Sequence, residues 1–284
     1  MTDWPCTMGM ACVGFEPRPL SDVMPSLAKP LRSPTCTLMS HYAAGRVMGD
    51  HADGASKISV VLAGHVREAV GRQEETATQG SVAIKPGDVV HRNQFGPAGA
   101  TMISLDLPPD LLALSEHGSL ARWRWCHGGP LTAMAIRLWL ASRSNAQTCL
   151  AESDAGIEFV AQLDALGQGP EPTHRPAWLR RVHERLQDAP FDAARLSLLA
   201  REVGVHPVYL ARTFRRHHRC SVRDYVHALR QTRVLQRMAT SSQSLAEVAM
   251  ACGYADQSHM SRDCRRHFGL SPRQCRNWLR MAPP

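Results

Sequence analysis

The sequence predicts a two-domain chain. An N-terminal β-barrel with helices following it precedes a C-terminal all-α domain of two helix-turn-helix units joined by a long helix. Three observations carry this. Short apolar runs separated by turn formers occupy residues 35–107, and three-to-four apolar spacing takes over afterwards. A segment near residue 200 returns near residue 250. The excess positive charge is confined to the C-terminal part.

Residues 1–34 are rich in Pro and Met without periodicity, and are expected to form an arm or a poorly ordered tail. The runs Ile58–Leu62, His65–Val70, Ser81–Ile84 and Thr101–Leu107 read as strands, with turns at Gly64, Gly71, Gly80 and Pro86-Gly87-Asp88. Closely spaced short strands of this kind suggest a sandwich or barrel over residues 35–109. Pro108-Pro109 ends it, and helices are expected over Asp110–Leu114, Gly129–Ser142 and Ser153–Leu166, so that residues 110–166 pack on the barrel. Residues 167–176 have linker composition, and residues 177–280 read as helix upon helix.

At 284 residues the chain can build two cores, and its 44% hydrophobic content argues against disorder throughout. The net charge is +8, but its distribution says more than the total. From Pro176 onward there are 19 Arg, no Lys and 8 acidic side chains, a net +11. Residues 1–175 hold 14 basic and 17 acidic side chains, a net −3. Arg presents a planar fork suited to phosphate oxygens and guanine edges, so a polyanionic partner is expected at the C-terminal part alone. No basic n-region with an apolar stretch follows Met1, and Leu131–Leu140 is too short for a membrane span. Nine Cys without a C-x-x-C pair point to a reducing compartment; a cytoplasmic protein with no membrane partner is the expectation.

The repeat has a period of about 50 residues. Leu196-x2-Leu199-Ala200-x3-Gly204 is matched by Leu245-x2-Val248-Ala249-x3-Gly253. Downstream, Arg212/Arg262, Arg215/Arg265, Arg216/Arg266, His217/His267 and Ser221/Ser271 are identical. Small Ala200 and Ala249 let two helices cross closely, and Gly204 and Gly253 stand where the turn requires a left-handed backbone. Pro207 fits a helix first turn, and Asp256 can cap the other second helix. Leu210 and Phe214, like Met260 and Cys264, fall inward, which leaves the arginines outward. Between the units, Val222–Met238 carries Tyr225, Val226, Leu229, Val234 and Met238 on one stripe. A single helix there would hold both second helices for successive major grooves of one duplex. The bland alternative is a helical bundle with a repeat, which explains neither the paired glycine turns nor the duplicated Arg set.

These residues resemble the AraC/XylS family of bacterial regulators over about residues 177–277. The matching stretches are Ser197-Leu-Leu-Ala, Gly204-Val-His-Pro-Val-Tyr-Leu-Ala-Arg-Thr-Phe-Arg-Arg, Leu245-Ala-Glu-Val-Ala, Gly253-Tyr-Ala-Asp-Gln-Ser-His-Met-Ser-Arg and Gly269-Leu-Ser-Pro. The resemblance implies sequence-specific DNA binding by both units of one protomer. It offers Val208, Ala211 and Arg212 to bases from the first unit, and Gln257, Ser258, His259, Ser261 and Arg262 from the second. Gln can pair with adenine and Arg with guanine, while Val208 and Ala211 can only touch a thymine methyl. Arg215, Arg216, Arg265 and Arg266 then hold phosphates or stay solvated. Three positions depart from the family: Arg219 replaces a Gly, and Met260 and Cys264 each replace a Phe. The first predicts strain at a helix end. The other two predict a less filled second core, by a few kcal/mol unless neighbours compensate. Cys264 is either a redox-sensitive thiol or, the more ordinary reading, a small buried hydrophobe.

The β region resembles the cupin-like effector domain of such regulators through Gly45-x5-His51-x-Asp53-x3-Lys57-x6-Gly64 and, partially, Gly80-x5-Pro86-Gly87-Asp88-x2-His91. In metal-binding cupins Asp53 would be a His and Lys57 a Glu. An ammonium there opposes a cation, so neither metal nor other cofactor is expected. His51, Asp53, Lys57 and His91 are either the polar groups of a small-molecule effector pocket, suited to an anionic or carbonyl ligand, or rim residues of a barrel used for dimerisation. Cys6-x-Met8-x-Met10-x-Cys12 is either a soft-metal ligand set or a tail. The expectation is a one-component transcription regulator without enzyme activity, a homodimer on double-stranded DNA with a small-molecule effector, and RNA polymerase as partner if it activates. The alternative is a cupin-type metalloenzyme with an accessory DNA-binding domain.

Overall fold

The computed structural model describes residues 37–115, 118–144, 150, 153–167, 176–188 and 196–280. The expected arm, the Cys6–Cys12 stretch and most of the expected linker lie outside the described residues. Among the described residues, seven strands, β1 (Thr37–Tyr42), β2 (Val47–His51), β3 (Lys57–Val70), β4 (Gln73–Thr78), β5 (Ser81–Lys85), β6 (His91–Asp106) and β7 (Arg124–His127), form one sheet. Its order is β1-β6-β3-β5-β7, with β2 on β6 and β4 on β3, and every pairing is antiparallel. The two runs expected as separate strands, 58–62 and 65–70, are one 14-residue strand. Gly64 does not end it. At φ +74° it sits where a Cβ would lie 1.9 Å from the Gly99 carbonyl oxygen, and the β3–β6 register shifts on either side.

Alternation along β3 serves two layers. Ile58, Val60 and Leu62 join Val82, Ile84, Ile103 and Leu105 against α2 (Pro130–Ser144) and α3 (Asp154–Gly167). Val61 and Val66 face the other way, with Phe95, Met102 and Trp125. Short α1 (Pro109–Leu112) makes the corner, its Leu111 fully buried. Helix α2 buries Leu131, Ile136, Leu138, Trp139 and Leu140, each contributing about 1.5–3 kcal/mol. The Trp139 indole donates to the Ser104 carbonyl at 3.0 Å.

Among the described residues seven helices follow: α4 (Ala177–Asp188), α5 (Leu196–Glu202), α6 (Pro207–His218), α7 (Val222–Thr240), α8 (Leu245–Ala251), α9 (Gln257–Phe268) and α10 (Pro272–Arg280). They do not stand apart from the sheet, because residues 34–284 form one compact unit. The middle helix α7 lies against the β3 side. Gly128 approaches so closely that an added Cβ would fall 2.3 Å from the Tyr225 ring. Gln79, at the β4–β5 turn, donates to the Leu62 carbonyl at 2.7 Å and accepts from Arg233 at 3.0 Å. From α4, Gln187 donates to the Gln79 carbonyl at 3.0 Å. No described helix is long and apolar enough to cross a membrane.

Candidate nucleic-acid interface

Helices α5 and α6 form one helix-turn-helix, and α8 and α9 the other. Their corners are built from the same bonds. Val205 N–H reaches the Ala200 carbonyl at 2.9 Å, and Tyr254 N–H the Ala249 carbonyl at 3.0 Å. Gly204 and Gly253 sit at φ +72° and +73°, the left-handed conformation that a Cβ penalises. Ala200 and Ala249 are fully buried at the crossings. Pro207 opens α6, and the Asp256 carboxylate caps α9 by accepting from His259 N–H at 2.6 Å.

The inward residues divide between two cores. Leu210 and Phe214 pack with Leu179, Val182, Tyr225 and Leu229, so the first unit is closed by α4 and the N-terminal half of α7. Met260, Cys264 and Phe268 pack with Val248, Cys252, Tyr254, Cys275 and Leu279, within the same cluster as Ile136 and Trp139 of α2. Met260 and Cys264 are both buried there, beside Phe268 and Tyr254. Cys264 is 2% exposed, and burial raises its thiol pKa, so it packs as a small hydrophobe and not as a thiolate.

The two second helices end differently. Gly269 closes α9 in the left-handed conformation at φ +72°, its N–H bonded to Arg265. Arg219 closes α6 with the equivalent bond to Arg215 at φ +55°, where a side chain costs about 1–2 kcal/mol. Ser221 and Ser271 turn out to be caps of the next helices. Ser221 makes a capping box with Asp224 on α7, and Ser271 exchanges bonds with Gln274 on α10.

The outward faces carry the residues expected at DNA. Val208, Arg212, Arg215 and Arg216 of α6 are exposed and Ala211 is half-buried. On α9, Gln257, Ser258, His259, Arg262, Arg265 and Arg266 are exposed and Ser261 is half-buried. Gln257, Ser258 and His259 fill the first turn of α9, one helical turn ahead of Arg262. Arg266 lies further round, on the rim of a cavity of about 220 Å³ between α7, α9 and helices α2 and α3. Sequence reasoning passed over Tyr209, which is 52% exposed beside Val208 and tilted on Trp178 at 5.8 Å. Its position two residues past Gly-x-x-Pro was the available signal.

In the sheet, His51, Asp53, Lys57 and His91 do come together around a cavity of about 80 Å³. Lys57 Nζ lies 2.9 Å from Asp53 Oδ1 and 3.9 Å from Asp106. His91 Nε2 is 3.7 Å from Asp53, and the His51 and His91 rings are 4.3 Å apart. Burial opposes ionisation of Asp53, but Lys57 outweighs it and holds the carboxyl below its ordinary range. The ammonium occupies the place where a cupin metal would need a carboxylate, so this residue set does not fit that metal. The cavity also contains a pair that sequence reasoning missed: Glu68, fully buried, binds Lys85 Nζ at 2.5 Å and accepts from the Trp123 indole at 2.5 Å. Both lysines are therefore already neutralised, which removes the free positive charge expected for an anionic ligand.

Residues 199–277 match the family model described as a helix-turn-helix domain. The HTH-type transcriptional regulator GbdR of Pseudomonas aeruginosa is 35% identical over 89 residues, 31% of this chain and 24% of that protein. The virulence regulon transcriptional activator VirF of Yersinia enterocolitica is 28% identical over 127 residues, 45% of this chain and 44% of that one. The crystal structure of ToxT from Vibrio cholerae aligns with 88% of this chain and 99% of its own, at 9% identity and a TM-score of 0.38. The chain thus spans under half the length of these two curated relatives. Over residues 199–277 the chain carries a helix-turn-helix domain, and in this part it is similar to these transcription regulators.

Proposed function

We propose that the chain is a sequence-specific DNA-binding transcription regulator, with both recognition helices of one protomer reading adjacent major-groove segments. The observation that carries this is the duplicated corner at the two ends of α7, each presenting Arg from an exposed second-helix face. Helix α7 has 19 residues and is therefore about 28 Å long, enough to space two helices toward successive grooves. The first unit offers Val208, Ala211 and Arg212. The second offers Gln257, Ser258, His259, Ser261 and Arg262, so it supplies most of the hydrogen-bonding readout. Arg215, Arg216, Arg265 and Arg266 hold phosphates. The expected working form is a cytoplasmic homodimer, with RNA polymerase as partner if it activates.

The sheet is the sensory half in this reading. Its cavity, with paired charges and a volume of about 80 Å³, suits a small neutral effector with donors and acceptors better than an anion. The contacts from Gln79 and Gly128 to Arg233 and Tyr225 join the sheet's turns to α7. The metalloenzyme reading loses support from the Lys57–Asp53 pair. The test is DNA selected by the full chain, with affinity measured against salt. The reading expects a steep linear fall in log affinity with log salt, together with retained preference for the selected sequence over random duplex. Equal affinity for both duplexes would contradict it.

A further inference from the structure

We infer that His227, Asp263 and His267 form a site for one divalent transition metal ion of the zinc class, tying α7 to α9. Asp263 and His267 stand four residues apart on one face of α9, and His227 reaches them from α7. The two Nε2 atoms are 3.0 Å apart, and each lies 3.4 Å from Asp263 Oδ1. A tetrahedral ion with bonds of about 2.0–2.1 Å holds its donors about 3.3–3.4 Å from one another. The three atoms therefore form a nearly complete face of such a tetrahedron without further movement.

Hydrogen bonding alone accounts poorly for this convergence. Only one proton fits between two nitrogens at 3.0 Å, so at least one imidazole Nε2 is unprotonated and has a lone pair inside the cluster, able to bind a metal ion in place of an N–H. Gln231 lies 3.0 Å from His227 Nε2 by its amide nitrogen, while its amide oxygen is buried without a hydrogen-bond partner. Beyond the donors, the Tyr254 hydroxyl donates to Asp263 Oδ2 at 2.5 Å, which fixes the other oxygen toward the histidines. His227 and His267 line the cavity of about 220 Å³, so a water can complete the coordination. Asp224 and Glu158 line it too, against the charges of Arg137 and Arg266.

The duplication supplies an internal control. The first unit keeps His217 at the place of His267 but has Thr213 at the place of Asp263, so it lacks the carboxylate. Two imidazoles and a carboxylate select zinc-class ions over calcium or magnesium.

The test uses the full chain stripped with chelator and titrated with Co²⁺ as a visible probe, with Zn²⁺ in competition. The site predicts one Co²⁺ per chain with the intense visible bands of tetrahedral coordination, displaced by Zn²⁺, and a Zn²⁺-dependent rise of several degrees in Tm. Asp263→Asn and His267→Gln should each abolish both signals, and so should His227→Gln, whose side chain is one-third exposed and tolerates change. His51→Gln should leave both intact, which separates this site from the sheet cavity. Bands that survive in His267→Gln and His227→Gln, or a wild type that binds no Co²⁺ at 100-fold excess, would overturn the inference.

Discussion

The two helix-turn-helix units share their corner bonds and their outward arginines, yet they are supported in different ways. The first has a core of α4 to α7 built on Leu210 and Phe214, seated on the sheet's turns at Tyr225 and Leu229. The second has smaller inward residues, and its core runs on into α2 and so into the helical layer over the sheet. The difference teaches that a duplicated motif fixes backbone geometry and surface chemistry, while side-chain volume is free to follow whatever the neighbours provide. It also ties the second unit to the sheet through α2, whereas the first touches the sheet's turns directly, through Tyr225 at Gly128 and Gln187 at Gln79.

The largest expected difference is in the inward residues. Phe214→Ala should cost about 3–5 kcal/mol in urea unfolding, because α4 and α7 close on that ring. Cys264→Ala should cost about 1 kcal/mol, and similar losses from the two would erase the distinction between the cores. Restoring the family residue by Cys264→Phe sharpens the point. With Phe268 and Tyr254 already buried beside it, overpacking should destabilise by about 1–3 kcal/mol, whereas a gain in stability would reveal an unfilled core. The helix ends give the smallest effects. Arg219→Gly should stabilise by about 0.5–1 kcal/mol, since relief of the left-handed strain is partly offset by chain entropy. Gly269→Arg should destabilise by a comparable amount, and changes of the same sign from both would contradict the asymmetry.

Most of the helical half was legible because its signals are local. Glycines at the corners, Pro207, Asp256 and the period of about 50 each act within a few residues, and α7 extends only two residues beyond the expected stripe. The strain at Arg219 was legible for the same reason. Ser221 and Ser271 were visible as identities, but their capping role needed the following helix boundaries. The sheet was less legible. The β3 register shifts between Val61 and Val66 move the cavity-facing set from Lys57 and Ser59 to Val66 and Glu68, so simple alternation could not place Glu68. Lys85 and Trp123 reach Glu68 from distant strands and loops, and no local spacing announces that. His227 with Asp263 likewise depends on how α7 crosses α9, and the close seat of Gly128 on Tyr225 depends on packing between halves.

The central claim is that one protomer reads DNA at two places, with the second unit carrying most of the base-specific chemistry. Base-resolution selection by the full chain, comparing wild type with Arg212→Ala and Arg262→Ala, tests it most directly. The account predicts that each variant relaxes preference over a different segment of the site. Arg262→Ala should lose about 1–3 kcal/mol of discrimination at its base, with Gln257-dependent preference alongside it, and Arg212→Ala should relax fewer positions. Selected sequences unchanged in both variants, or both variants relaxing the same segment, would contradict it.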